Sequence, residues 1–323
     1  METAILPLRD PSAQARWEEL WSVSPQRTPF ATVAYAEAAC AASGFTCEIA
    51  LAQHEGKDEA GALVFSRKRG PFREMVVPFY TSFSPLLFRK TPNEAAIHAR
   101  KTAVDALLPA LEERYDVLRL HLHPEMKDVR AIQWCGWKAS PLYTYRIPLA
   151  GEESLLAGWS SGTRRAFRKA RDQFRVAEDA AAATVVVELL GESYARQGHP
   201  FPVEKKRLIE WIRTLVSAGT VRIFTATSEE TDTQEAAAAL LHDGRTAHYW
   251  IAGSRPGPAM TVLLGRMLPV LHEAGLTTFD FVGANTPSIA EFKRRFRPTL
   301  TPYFRVEKTT HPALRLAYAF RRG

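Results

Sequence analysis

The most constraining feature of this sequence is an order of predicted elements that occurs twice. In each half of the chain a strand hairpin precedes a long helix, and the helix precedes a further strand. The second hairpin turns at Asp243-Gly244, a dipeptide that favours tight two-residue turns. Apolar alternation and helical periodicity predict these elements at residues 45–51, 62–69, 91–116 and 117–123 in the first half, and at 236–254, 259–275 and 277–283 in the second.

This repetition predicts an α/β protein with two tandem domains, each a mixed β-sheet flanked by helices. We place the boundary where a strand ends in PLAGEES, which gives an N-terminal domain of residues 1–150 and a C-terminal domain of residues 151–323. The helix of the first domain is expected to begin at Thr91 or Asn93, because both residue types cap helices well. Three more helices are expected ahead of the second hairpin, at 154–174, 180–198 and 203–219.

The composition is typical of a folded protein with a sizeable core, since 46% of the residues are hydrophobic. No segment approaches the ~20 apolar residues that span a bilayer, and the N-terminus lacks the pattern of a secretory signal, so a cytoplasmic protein is expected. The three cysteines (Cys40, Cys47 and Cys135) have no metal-type spacing. His121 and His123 lack a third ligand, and the sequence therefore predicts no metal site.

The net charge of +7 falls mainly in the second half, where the helix TRRAFRKARDQFR has Asp172 as its local acid. Such a charge indicates an anionic partner, whether nucleic acid, cofactor phosphate or membrane surface. A basic face is either solvated by water or neutralised by phosphates, and as a phosphate site it would position a backbone rather than read bases. In a continuous helix one face would carry Arg164, Arg168, Arg171 and Arg175, flanked by Arg165 and Lys169.

A carboxylate stands in the middle of the last predicted strand. Asp280 lies between Phe279 and Phe281, so strand periodicity directs it to the face opposite both rings. A carboxylate on a largely buried strand needs a partner, and Lys293 in the following short helix is the natural cation. The pair is either a structural ion pair or part of a site. Tyr249, on the second hairpin, is a further candidate through its hydroxyl group.

Five stretches of the sequence occur in the order seen in FemAB-like transferases. They are WSSGTRRAFRKA, YARQGHPF, GRTAHYWIAGS, AGLTTFDFVGA and AEFKRRF. The chain therefore resembles this family over about residues 155–310, and resembles it in the first half by the order of elements. The resemblance implies two tandem domains of the GNAT acyltransferase fold. It also implies transfer of an aminoacyl group from aminoacyl-tRNA to an amine-bearing small molecule or peptide.

The resemblance assigns roles to individual residues. The family's Phe-Lys pair, whose lysine lies at the reacting ester, corresponds to Phe292-Lys293. Lys293 is then expected to stabilise the oxyanion of the tetrahedral intermediate. Asp280 would either orient Lys293 or accept the amine's proton, and the sequence leaves both roles open. The residues expected to bind substrates are Phe292, Tyr249, Arg164, Arg165, Arg168, Lys169 and Arg171.

Two departures from related patterns bear on the donor. The long helical-hairpin insertion of several cell-wall enzymes has no room in this chain. The GNAT pyrophosphate signature, Arg/Gln-x-x-Gly-x-Gly/Ala, occurs as SRPGPA, with Ser254 at the first position and with Pro256 and Pro258 lacking backbone amides. An acyl-CoA donor is therefore the second hypothesis. The third is a non-catalytic double-GNAT module that binds RNA or a protein partner.

Overall fold

The structure of the protein, a computed structural model, describes residues 1–89 and 96–315. The chain forms two compact units. Unit 1 comprises Met1–Leu142 and the segment that begins at Pro302, and unit 2 comprises Tyr143–Thr301. Among the helices of the described residues, none has both the length and the apolar character needed to cross a bilayer.

The elements follow one another along the chain as helices and strands of ordinary length. Those that begin in unit 1 are β1 (Glu2–Pro7), α1 (Pro11–Val23), α2 (Val33–Ser43), β2 (Thr46–His54), β3 (Lys57–Arg69), β4 (Phe72–Met75), β5 (Leu86–Phe88), α3 (Ala96–Arg114), β6 (Val117–His121), α4 (Arg130–Trp134) and β7 (Lys138–Pro148). Those that begin in unit 2 are α5 (Glu152–Gly158), α6 (Ser161–Ala170), β8 (Phe174–Glu178), α7 (Ala183–Arg196), α8 (Lys205–Ser217), β9 (Val221–Ser228), β10 (Gln234–His242), β11 (Thr246–Ser254), α9 (Ala259–Glu273), β12 (Thr278–Asp280), α10 (Pro287–Arg294) and β13 (Thr299–Thr309).

In unit 1 the strands are ordered β1-β2-β3-β4-β6-β13, and β5 pairs separately with β3. The pair β4–β6 is parallel, whereas β6–β13 is antiparallel. Helix α3 contributes Leu107, Leu108 and Leu111 to a core that also contains Leu118 and Leu120 of β6. The helix thus covers the sheet with its apolar face, as its periodicity predicts.

In unit 2 the strands are ordered β7-β12-β11-β10-β9-β8, and β11–β12 is the parallel pair. The other neighbours in this order are antiparallel. Helix α9 packs Leu263, Leu264 and Met267 into a core that includes Phe279 and Phe281. The short strand β12 is therefore central in its sheet and buried by a helix.

The predicted mixed sheets flanked by helices are confirmed, as are both hairpin–helix–strand series. The expected cap at Thr91 or Asn93 lies outside the described residues. The two units differ from the domains predicted at 1–150 and 151–323, because β7 passes from one unit into the other and β13 returns to pair with β6. The sequence analysis did not foresee the return of the chain.

Two elements of unit 2 are shorter than predicted. The helix expected at 154–174 is divided into α5 and α6, because Ser160 starts a new helix by accepting a hydrogen bond from the Thr163 amide at 3.3 Å. The strand expected at 277–283 ends at Asp280, because the φ of Val282 is 53° and lies in the left-handed region.

Candidate active site

The strands β11 and β12 lie side by side over three residues and then separate. Their parallel register joins Thr246–His248 to Thr278–Asp280, and β11 continues alone to Ser254. A register shift opposite Ala239 and Leu240 leaves Trp250 as the extra residue of a bulge in β11. The separation therefore opens a cleft at one end of the central strands of unit 2.

A second bulge lies on the other side of this cleft. The amides of Phe281 and Ala284 donate to the carbonyls of Tyr145 and Tyr143, both at 2.8 Å. Three residue steps on this segment thus oppose two on β7, which is the geometry of a β-bulge. The φ angles of Val282 and Gly283 are 53° and 76°. We call this feature the 282–283 bulge.

The side chain of Lys293 reaches this bulge from helix α10. Its Nζ donates to the carbonyls of Phe281 (2.7 Å), Val282 (2.6 Å) and Gly283 (2.7 Å). The residue is only 5% exposed. An ammonium group has three hydrogens, so these three bonds use all of them. Burial lowers the pKa of Lys293 to about 8, and the charge of Asp280 opposes this shift.

Asp280 is fully buried and holds the bulge from the opposite side. Its Oδ1 accepts from Thr144 Oγ1 (2.5 Å) and from the Val282 amide (2.9 Å), and its Oδ2 accepts from Arg146 Nε (2.7 Å). Burial raises the pKa of this carboxyl, but the charge of Arg146 and the hydrogen bonds lower it further, so the net direction is down. Asp280 is therefore an ionised, partnered group.

His248 lies opposite Asp280 on β11, so Asp280 is flanked by His248 and, on β7, by Arg146. Burial lowers the pKa of His248 to about 4 even though the carboxylate of Asp280 opposes this shift. The imidazole is thus neutral at pH 7. The row carries one negative and one positive charge, which balance each other in a buried place.

The predicted ion pair between Asp280 and Lys293 is wrong. Among the described residues, no carboxylate forms an ion pair with Lys293, and the cation that pairs with Asp280 is Arg146. Both residues instead contact Val282, one through its amide and the other through its carbonyl. The two are therefore brought to one place, as expected, but are linked through the backbone.

The other two predicted residues of this site have apolar surroundings. The Phe292 ring lies 5.3 Å from that of Phe296 and packs against the core of unit 2. Tyr249 donates its hydroxyl hydrogen to Met260 Sδ at 3.0 Å, and its ring lies 6.0 Å from Lys293 Nζ. Burial raises the pKa of Tyr249, so its hydroxyl remains protonated. Substrate contact by either residue stays a prediction.

Sequence reasoning missed Thr144, Arg146 and His248 as members of this site. A signal was present, because Thr144 and Arg146 alternate with apolar and aromatic residues in YTYRIP and so share one face of β7. The same argument that singled out Asp280 applies to them. What the sequence does not contain is the register that sets Arg146 and His248 beside Asp280.

Helix α6 packs closely on α9 through its apolar side. The Phe167 ring is fully buried, and a Cβ added at Gly265 of α9 would lie 2.3 Å from it. The start of α6 is bonded to the end of α10, because the carbonyl of Arg295 accepts from the Ser160 amide (3.1 Å) and from Thr163 Oγ1 (3.3 Å). The basic helix and the helix that carries Lys293 therefore adjoin.

The exposed side of α6 carries Arg165, Arg168 and Lys169, which we call the basic patch. Within residues 1–89 and 96–315, none of the three forms an ion pair. Like charges this close on a helix repel one another, so the patch is slightly unfavourable for folding in isolation. Its charge is available to an anionic partner.

The remaining predicted arginines are not part of this patch. Arg164 is half-buried and donates to the carbonyl of Ala157 at 2.9 Å. Arg171 lies 3.6 Å from Asp172, in a short 3-10 turn that follows α6. Arg175 lies on β8 and pairs with Asp232 at 3.0 Å. The predicted four-arginine face is therefore wrong, since the helix ends at Ala170.

The loop that leads into α9 offers few amides to a pyrophosphate. Pro256 and Pro258 have none, and Pro258 is the N-cap of the helix. The amide of Arg255 donates to the carbonyl of Glu235 at 2.9 Å. The guanidinium of Arg255 is bound to Glu192 at 3.2 Å. The loop thus differs from an amide-rich phosphate cradle.

Comparison with known proteins gives one family match and several similar structures. Residues 160–294 match the family described as acetyltransferase (GNAT) domain. The crystal structure of FemX is similar with a TM-score of 0.71 and 13% identity, over 94% of this chain and 97% of that one. No curated protein matches the chain significantly.

Two other solved structures share the fold. A tandem GNAT protein from the clavulanic acid biosynthesis pathway has a TM-score of 0.54 and 11% identity, over 96% of this chain and 99% of that one. L-PGS from Bacillus licheniformis has a TM-score of 0.55 and 12% identity, over 98% of this chain and 97% of that one. The fold is therefore the tandem GNAT type that the sequence predicts, and unit 2 contains a GNAT-type acyltransferase domain.

Proposed function

We propose that the protein transfers an aminoacyl group from aminoacyl-tRNA to the amine of a small molecule or peptide. The observation that carries the proposal is the basic patch, three exposed cations without ion-pair partners among the described residues, on a helix bonded to the helix of Lys293. Phosphates of a tRNA acceptor end would neutralise the patch and bring the ester towards the cleft beside the 282–283 bulge.

The loop before α9 supports tRNA over acyl-CoA. A CoA pyrophosphate is held in GNAT-type sites mainly by backbone amides, and in this chain Pro256 and Pro258 supply none. The resemblance to FemAB-like transferases points the same way. A tRNA donor also agrees with the expected cytoplasmic location.

The chemistry would need positioning and charge stabilisation, because a tRNA ester is already activated. The amine nitrogen attacks the ester carbonyl carbon, the C–N bond forms, and the bond to the ribose oxygen breaks. Overall, the proton lost by the amine is gained by the ribose hydroxyl. Holding the two reactants together supplies much of the acceleration. The positive field of Lys293 favours the oxyanion of the intermediate.

The test supplies two donors in parallel. Total tRNA charged with labelled amino acids, and separately labelled acetyl-CoA, are incubated with the protein and a mixture of amine acceptors. The proposal expects label from tRNA to appear in an amide product. Label from acetyl-CoA alone would support the acyl-CoA hypothesis, and label from neither, with RNA still bound, would support the non-catalytic module.

The basic patch gives a second prediction. Arg165→Glu combined with Arg168→Glu should weaken tRNA binding by about 100-fold or more, because phosphate contacts dominate the affinity and their loss removes counterion release. The melting temperature should hardly change, since both side chains are exposed. Filter binding at several salt concentrations measures the effect. Lys206→Glu, an exposed cation on α8, is the control and should leave binding within about threefold.

A further inference from the structure

The 282–283 bulge has an unusual occupant at its first position. Val282 is β-branched, and its φ of 53° lies in a region that such residues rarely adopt. Backbone strain of this kind persists only where surrounding contacts impose it, and it concentrates at functional sites. The contacts that impose it can be identified in this protein.

Lys293 is the first of these contacts. In an extended strand successive carbonyls point to opposite sides, so three in sequence cannot converge on one atom. The carbonyls of Phe281, Val282 and Gly283 nevertheless all lie 2.6 to 2.7 Å from Lys293 Nζ. The ammonium group therefore requires the bulged backbone and is required by it, because these carbonyls face β11 across the cleft without a strand to pair with.

Asp280 is the second contact. Its Oδ1 accepts from the Val282 amide, which a left-handed residue would otherwise leave unpaired in a buried place. Thr144 and Arg146 fix the carboxylate on β7. One peptide unit on each side of Val282 is thus held by a buried charged group, and the flanking amides of Phe281 and Ala284 are held by β7.

We infer that Lys293 and Asp280 are positioning residues that hold Val282 in its left-handed conformation, and that the resulting bulge keeps the acyl-transfer cleft between β11 and residues 281–284 open. The inference deepens the proposed function, since it concerns the same cleft. It differs from a direct role of Lys293, because all three hydrogens of the ammonium group are used by the backbone.

Glycine at position 282 separates the two roles. Glycine adopts a positive φ without steric cost, so Val282→Gly should need less help from Lys293. We expect Lys293→Met to lower the single-turnover rate by about tenfold or more, and Val282→Gly to leave it within about threefold of wild type. The double variant should recover to within about threefold of Val282→Gly. A double variant as slow as Lys293→Met, or a fully active Lys293→Met, would overturn the inference.

The matched control is Glu55→Gly in unit 1, another non-glycine residue with a positive φ, 48°, in an exposed turn. Combined with Lys293→Met it should leave the rate as slow as in Lys293→Met alone. If it rescues equally, the effect is general stabilisation and the inference is wrong.

A readout without substrate keeps the inference independent of the donor. Hydrogen exchange of the Phe281 and Ala284 amides should quicken by about tenfold or more in Lys293→Met and slow again in the double variant. Exchange that is unchanged in Lys293→Met would overturn the inference even if transfer is observed. Conversely, transfer from acetyl-CoA in place of charged tRNA would refute the proposed donor and leave the rescue pattern intact.

Discussion

The strands β6 and β12 follow the long helices of the two units and occupy corresponding places in their sheets, yet they bury different groups. Each has a parallel neighbour on one side and an antiparallel neighbour on the other. On β6, Arg119 is half exposed and lies 3.5 Å from Glu307. On β12, Asp280 is fully buried with Arg146. The topology therefore accepts a strand here without a buried charge.

The chain also continues differently after the two strands. The amide of Leu122, directly after β6, donates to the carbonyl of Phe304 and extends the pairing with β13. After β12 the chain forms the 282–283 bulge and leaves β11. Because the fold of unit 1 manages without this bulge, the buried charges around Asp280 are better explained by the cleft than by the stability of the sheet.

The largest expected effect compares the two charged pairs. Asp280→Asn should lower the free energy of unfolding by ~3–5 kcal/mol, because it leaves Arg146 without its buried counterion. Arg119→Gln in unit 1 should cost ~1 kcal/mol or less, since that pair is exposed to water. Urea denaturation measures both. Equal losses would show that the burial of Asp280 has no special energetic weight.

Alkaline pH should act on the two units with opposite sign. Folded Lys293 releases its proton near pH 8, whereas the unfolded side chain keeps it to 10.5, so stability should rise from pH 8 to 10.5. Burial and Glu48 raise the pKa of Tyr115 in unit 1 from 10.0 to about 12, so its contribution should be lost as pH rises over that range. Each change is at most roughly 3 kcal/mol.

Unfolding measured against pH in two variants assigns these effects. Lys293→Met should remove the rise above pH 8, and Tyr115→Phe should remove the loss above pH 10. A wild-type rise that persists in Lys293→Met would mean that another group titrates there.

The smallest expected effect compares two strand glycines. An added Cβ at Gly253 of β11 would lie 2.2 Å from the Leu190 amide nitrogen, a backbone atom of α7. At Gly61 of β3 it would lie 2.7 Å from the Ala50 carbonyl and 2.9 Å from Leu51 Cδ2. We expect Gly253→Ala to cost ~3 kcal/mol and Gly61→Ala ~1–2 kcal/mol. Thermal unfolding tests the order, which would be contradicted if Gly61→Ala were the more damaging.

Much of unit 2 could be predicted from local patterns. The Asp243-Gly244 turn, the periodicity of α9 and the opposite placement of Asp280 and its neighbouring phenylalanines depend on residues close in sequence, and all are confirmed. The break between α5 and α6 was missed, although Ser160 is a good N-cap. The continuous basic periodicity concealed it.

The sequence by itself determined the α/β class, the repeated series of elements and the residues that needed partners. Only the tertiary structure decided which partners they have. Arg146 lies 134 positions before Asp280, and the register of β7 on β12 brings them together. The carbonyls that hold Lys293 converge because Val282 is left-handed, a conformation that no local preference of valine predicts. Local preference and periodicity are encoded within a few residues, whereas register and strain are set by the packing of distant strands.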